Sequence, residues 1–180
     1  MNIISNKTVV RVLIVITNMK TFIGIDNGVS GSIGIINEQG SEFFPVPCFT
    51  EQSYTKAKQN ISRVDHKELR AIFAELIGKD CMIIIERPMV NPGRFKATAS
   101  ALRALESVLV IVEQFNLPYQ YIDSKEWQKE LLPKGSKGNE LKVHSKQIGK
   151  RLFPQFSGLI DKHKDADGLL IAEHCRRKFK

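Results

Sequence analysis

Three acidic residues stand at the ends of apolar runs, where an ionised side chain has little structural work to do. Asp26 follows the run Thr21 to Ile25, Glu86 closes Cys81 to Ile85, and Asp167 opens the apolar pattern Gly168 to Ala172. An unpaired carboxylate beside a buried strand carries a large desolvation penalty, so a cation or a partner is expected there. Several carboxylates brought to one place repel one another and hold their protons unless a divalent ion neutralises them. An all-oxygen donor set suits Mg²⁺ or Mn²⁺, and the lack of clustered Cys and His argues against zinc. Each acid also has an ordinary reading. Asp26 is a turn residue in Asp-Asn-Gly, Glu86 pairs with Arg87 or covers a strand end, and Asp167 favours a helix N-terminus. Their matching positions at element ends favour a shared site.

The elements that must position these acids follow from hydrophobic periodicity. Thr21 to Ile25 and Ser32 to Ile36 are strands separated by the turn-forming Asn27-Gly28, and Gln39-Gly40 leads into a third strand, Phe43 to Phe49. Pro45 and Pro47 place that third strand at an edge. Residues 50–64 are polar and basic and are expected to form a mobile loop. Asp65 caps a helix, with Glu68 as its capping-box partner, in which Leu69, Ile72, Phe73, Leu76 and Ile77 keep helical spacing until Gly78. Cys81 to Ile85 has the continuous apolar character of a strand buried on both faces. A long helix is expected over 94–115, a strand at Tyr119 to Asp123, a short helix holding Trp127 as a core anchor, and helices over 140–152 and 165–177. A three-strand antiparallel meander followed by strands reached through helical crossovers makes a mixed five-stranded α/β sheet with helices on both faces.

The chain has 180 residues, enough for one domain with a proper core, and 42% of them are hydrophobic, which excludes a disordered or fibrous chain. A formal charge of +8 favours a polyanionic partner, nucleic acid before membrane. Cys48, Cys81 and Cys175 are scattered and odd in number, which suggests no disulfide framework and points to a reducing, cytoplasmic compartment. The apolar run Val9 to Thr17 is interrupted by Arg11, is followed by no small-residue cleavage site, and is too short to span a membrane. Met19 then opens a segment that reads as a natural start. Residues 1–18 are accordingly expected to be a dispensable appendage, non-native or loosely attached, to a domain over 19–180.

The string Phe22-Ile-Gly-Ile-Asp26-Asn-Gly-Val-Ser-Gly31-Ser-Ile-Gly resembles the first strand of RuvC-type Holliday-junction resolvases. Ile84-Ile85-Glu86, with the loop and long helix after it, resembles their second acidic motif. Ala166-Asp167-Gly-Leu-Leu-Ile-Ala172 is similar to their C-terminal acidic helix, with Gly168 where Ala is usual. Ile122-Asp-Ser-Lys-Glu-Trp127 and Leu152-Phe-Pro154 resemble segments of the phage and plastid branch. The likeness covers roughly residues 20–176, and the order and spacing of the motifs make the set specific. It implies an RNase H-like fold, a homodimer acting on branched DNA, and hydrolysis with two Mg²⁺ ions about 4 Å apart, for which Mn²⁺ substitutes. It also implies no small-molecule cofactor. By position, Asp26, Glu86 and Asp167 would be metal ligands, Asp26 bridging both ions. The resemblance places an Asp or His three or four residues before the last acid. That offset falls on Lys164 or His163, with Asp161 and Asp165 nearby. Asp165 is preferred as fourth ligand, in a turn entering a helix that starts at Ala166, and His163 is the second choice.

Binding requires cations beside this acidic set. Arg87, Arg94 and Lys96 flank the loop after Glu86, and Lys134 and Lys137 crowd the Gly-bearing loop before the helix over 140–152; all five are expected to contact DNA. Lys142 is the candidate for stabilising charge that develops on the phosphate. Val110, Ile111 and Phe115 add apolar surface to the long helix and suggest a homodimer seam. Three rivals remain from sequence: a nuclease of the same fold acting on RNA hybrids or other branches, a catalytically silent DNA-binding module, and, more distantly, an actin-like nucleotide phosphohydrolase. The last would need a second domain and a second Gly-rich phosphate loop.

Overall fold

The computed structural model describes residues 20–56 and 58–180, so the apolar run at Val9 to Thr17 and the expected appendage lie outside it. The chain begins with three antiparallel strands, β1 (Thr21–Ile25), β2 (Ser32–Asn37) and β3 (Gly40–Pro45). A separate hairpin of β4 (Cys48–Gln52) and β5 (Asn60–Val64) leads to helix α1 (His66–Ala74). Strand β6 (Cys81–Glu86), helix α2 (Phe95–Gln114) and strand β7 (Tyr119–Ile122) follow. The remainder is helical: α3 (Ser124–Leu131), α4 (Asn139–Leu152), the short α5 (Ser157–Lys162) and α6 (Asp167–Phe179). The main sheet has the order β3-β2-β1-β6-β7, with β1, β6 and β7 parallel. This is the mixed five-stranded α/β architecture expected from the sequence.

Period-two alternation divides the core between the two faces of the sheet. Ile23, Ile25, Ile83 and Ile85 pack with Leu69 and Phe73 of α1 and with Ala104, Val108 and Val112 of α2. Phe22 and Ile84 point the other way, against Trp127 and Leu131 of α3 and Leu170 and Ile171 of α6. Strands β1 and β6 are central because only apolar runs tolerate cover on both faces. Asp65 caps α1 as expected, its Oδ1 accepting the backbone N–H groups of Lys67 and Glu68 at 3.0 and 3.2 Å.

Several boundaries depart from the sequence reading. The third strand ends at Pro45, and residues 50–64, expected to be a loop, carry most of the β4–β5 hairpin. The hairpin stands outside the main sheet and buries little except Val64, so its residues lack the apolar alternation that marks a strand. The backbone ladder joins its two strands, with an exposed cross-strand ion pair between Arg63 and Glu51 at 2.6 Å. Helix α5 was hidden by its brevity between Pro154 and the final helix. On α2, Ile111 is buried in this chain's own core and Phe115 packs against it, whereas Leu102 and Val110 are exposed. The apolar surplus ascribed to a seam is therefore smaller than the sequence suggests.

Candidate active site

Parallel pairing sets two of the acids side by side. In the β1–β6 ladder Ile25 stands opposite Ile85, so Asp26 and Glu86 leave adjacent strands at the same carboxyl edge of the sheet. The third element is α6, which crosses close over β1 and β2 because glycines occupy the crossing. A Cβ on Gly24 would lie 2.1 Å from the backbone nitrogen of Ala172, and one on Gly34 would lie 2.6 Å from the carbonyl of Gly168. A Cβ on Gly168 would meet the Ser32 carbonyl at 2.5 Å. Helix and sheet therefore touch backbone to backbone. The Ser32 hydroxyl accepts the Gly168 N–H at 3.0 Å, which fixes the helix start over the end of β1.

This docking brings Asp26, Asp165 and Asp167 together, with carboxylate oxygens from all three within 4.8 Å of one another. Glu86 lies beside the trio, and its Oε2 accepts the indole N–H of the fully buried Trp127 at 2.6 Å. Asp167 accepts the Ser145 hydroxyl, whose oxygen in turn accepts the Ala166 N–H at 3.0 Å. Asp165 precedes α6 in the entering turn, and its Oδ1 accepts the Asp167 N–H at 3.3 Å. His163 lies beside Asp165 and outside the trio. Its Nδ1 is 3.0 Å from the Asp165 carbonyl and 3.6 Å from its Oδ1, and its ring stands edge-on to Phe43. Of the two candidates for a fourth ligand, Asp165 joins the cluster and His163 supports Asp165.

Lys164 enters the same cluster. Its Nζ lies 3.0 Å from Asp26 Oδ2 and 3.5 Å from Asp165 Oδ2. Asp26 is only 7% exposed, and the Lys164 ammonium is the charge partner of its buried Oδ2. Burial pushes the Asp26 carboxyl up to about 6, with Asp165 adding to the rise and Lys164 opposing it. Glu86 is raised to about 7 by burial and then by the charge of Asp26. Asp167 is raised to about 8 by burial, then by Asp165 and Asp26. Asp165 is the exception. Burial pushes it upward, but His163 and Lys164 outweigh burial and hold its carboxyl below the usual range.

The other sequence candidates lie outside the acidic centre. Lys142 is exposed on α4, one helical turn ahead of Ser145. Arg87 pairs with Asp123 at 3.0 Å and lies over the Tyr121 ring. Arg94 is exposed at the start of α2, and Lys96 reaches Gln59 of the hairpin at 3.5 Å. Lys134 and Lys137 are exposed in the loop before α4. Ser145, Trp127 and Lys164 are the neighbours of the acids that sequence reasoning did not assign to the site. Ser145 meets Asp167 across 22 positions and Trp127 meets Glu86 across 41, so no local spacing announces either contact.

The arrangement fits a divalent ion. Three aspartates and a glutamate supply oxygen donors alone, and burial with mutual repulsion disfavours the ionised cluster without added positive charge. No protein-family model matches the chain, and no curated protein matches it. Among solved structures, it is similar to Thermus thermophilus RuvC in complex with Holliday junction substrate, at 13% identity and a TM-score of 0.48, over 85% of this chain and 90% of that one. A second Thermus thermophilus RuvC structure gives 15% identity and a TM-score of 0.44, over 84% and 90%. Among the described residues no helix is long and apolar enough to cross a membrane.

Proposed function

We propose that this chain is a metal-dependent endonuclease that resolves four-way or otherwise branched DNA by phosphodiester hydrolysis. The observation that carries this reading is the convergence of Asp26, Asp165 and Asp167 beside Glu86 at the carboxyl edge of β1 and β6. The motif resemblance supplies the branched substrate, and the net charge of +8 fits a polyanion. Asp26, Glu86, Asp165 and Asp167 would hold Mg²⁺ or Mn²⁺. Such an ion, when bound, supplies an activated water and positive charge at the scissile phosphate.

The protein's own groups set the geometry of that reaction. Ser145 turns Asp167 by accepting from the Ala166 N–H while donating to the carboxylate. Trp127 fixes the direction of Glu86 through its indole N–H. Such outer partners hold ligating carboxylates in one orientation, and losing one typically costs 10- to 100-fold in affinity or rate. Water attacks phosphorus as the bond to the departing 3′ oxygen breaks, the water losing a proton and the departing oxygen gaining one, and Lys142, exposed one helical turn before Ser145, would face charge growing on the phosphate. Arg94, Lys96, Lys134 and Lys137 would hold flanking phosphates, with Arg87 contributing less because Asp123 already engages it. A four-way junction has two strands to cut, so two copies related by two-fold symmetry would supply the two sites.

The test is incubation with a labelled four-way junction, a matched duplex and an RNA–DNA hybrid, with Mg²⁺ or with chelator. Paired symmetric nicks confined to the junction, abolished by chelator and by Asp26→Asn with junction binding retained, are expected. Cutting of the hybrid alone would replace the substrate, and binding without cutting under all metal conditions would replace the enzyme by a binding module.

A further inference from the structure

The contacts of the acidic cluster leave room for fewer cations than four carboxylates suggest. The Lys164 ammonium is in ion-pair range of Asp26 Oδ2 and Asp165 Oδ2, oxygens from two of the three converging aspartates. The other oxygen of Asp165 faces His163 and accepts the Asp167 N–H. Asp167 Oδ1 accepts from Ser145, and Glu86 Oε2 accepts from Trp127. One oxygen each of Asp26, Asp167 and Glu86 stands outside these contacts. An oxygen that accepts one hydrogen bond keeps a lone pair for a metal, so the Ser145, Trp127 and backbone contacts orient the carboxylates, and it is the ammonium between Asp26 and Asp165 that takes the space of an ion. An ion bridging Asp26 and Asp165 through their Oδ2 atoms would need both at about 2.0–2.1 Å, in the space the ammonium takes.

We propose, on the reading that the cluster binds divalent metal, that Lys164 is a built-in cation of this site. Its ammonium occupies the position between Asp26 and Asp165, and the chain loads one divalent ion rather than the two the motif resemblance implies. The choice of residue matters physically. A lysine carries a compact point charge on a flexible stem, and it can neutralise two carboxylates without demanding the fixed coordination of a metal. The side chain is 34% exposed, so its charge is also within reach of a nucleic-acid backbone laid across the site.

The decisive measurement counts ions. Mn²⁺ is titrated into the full chain by calorimetry, with electron paramagnetic resonance on the loaded protein, for wild type, Lys164→Asp and the neutral Lys164→Gln. Junction cleavage is assayed on the same samples. The expected result is one uncoupled Mn²⁺ per wild-type chain and a second, spin-coupled ion once either substitution frees the Asp26 and Asp165 oxygens. Lys164→Gln keeps the size of the side chain and so guards against loss of folding in Lys164→Asp. Two coupled ions in wild type would overturn the proposal while leaving the nuclease reading intact, as would one ion in wild type and in every folded variant. No bound Mn²⁺ in wild type and no cleavage would overturn both.

Discussion

Asp26, Glu86 and Asp167 lose solvent on folding and sit within each other's field, so each ionisation makes the next one harder. A carboxyl that keeps its proton more tightly in the fold than in the unfolded chain stabilises the fold below its unfolded pKa of about 4. That stability is lost as pH rises through the folded value. With folded values of about 6, 7 and 8, the window runs from about pH 4 to about pH 8. The metal-free protein should therefore melt lower at pH 8 than at pH 5, and Mg²⁺ should restore more at pH 8 by binding the ionised cluster. For Asp26 the rise of roughly two units corresponds to an upper value on the order of 3 kcal/mol. Asp26→Asn removes that share, so circular-dichroism melts in chelator should show a flatter decline with pH in the variant. Superimposable pH profiles for the two proteins would contradict the electrostatic account. The acids themselves were legible because each ends an apolar run, where a charge is out of place. Lys164 was not, because an exposed lysine and one aimed at buried carboxylates look alike until Asp26, 138 positions away, is placed beside it.

At the scale of elements, the position of α6 decides whether the acids meet at all. Gly24, Gly34 and Gly168 let helix backbone rest on strand backbone, and added side chains would find main-chain atoms that cannot swing aside. Gly24→Ala would place its Cβ 2.1 Å from the Ala172 nitrogen and should lift the helix from β1. Overpacking of this kind costs about 1–3 kcal/mol or more. The expected outcome is a lower urea midpoint together with loss of junction cleavage, measured on the same preparation. Full activity with unchanged stability would show that the crossing is looser than described. The strands β1, β2 and β6 and the helices α1 and α2 were readable from period and caps, since each buries a regular apolar face. The β4–β5 hairpin was not, because cross-strand pairing and the Arg63–Glu51 bridge leave no apolar alternation to read. The role of the glycines was also hidden: Gly24 and Gly34 inside strands mark close approach only once α6 is known to lie across them.

For the whole molecule, the net charge of +8 conceals an acidic centre among basic loops. If Arg94, Lys96, Lys134, Lys137 and Lys142 each neutralise one phosphate, junction affinity should fall on the order of 10²–10³-fold between 50 and 200 mM salt. Replacing any one of them with Ala should reduce the logarithmic salt slope by about 1. Arg87→Ala should change the slope least, because Asp123 already holds that guanidinium. Fluorescence anisotropy across a salt series with the Asp26→Asn protein reads this without cleavage; a flat salt response would remove the phosphate contacts. The route by which the site is assembled has a further consequence. Asp26 and Glu86 come from the sheet, whereas Asp165 and Asp167 arrive only with α6, after every other helix and strand described. A fragment that stops short of α6, through a premature stop or a proteolytic nick, loses half of the proposed ligands together with the buried Leu169, Leu170, Ile171 and Ala172 that cover one face of the sheet. Such a fragment would lack both the ligands and the packing that a cutter needs, and cleavage itself reports that the chain has been made and folded through to that helix.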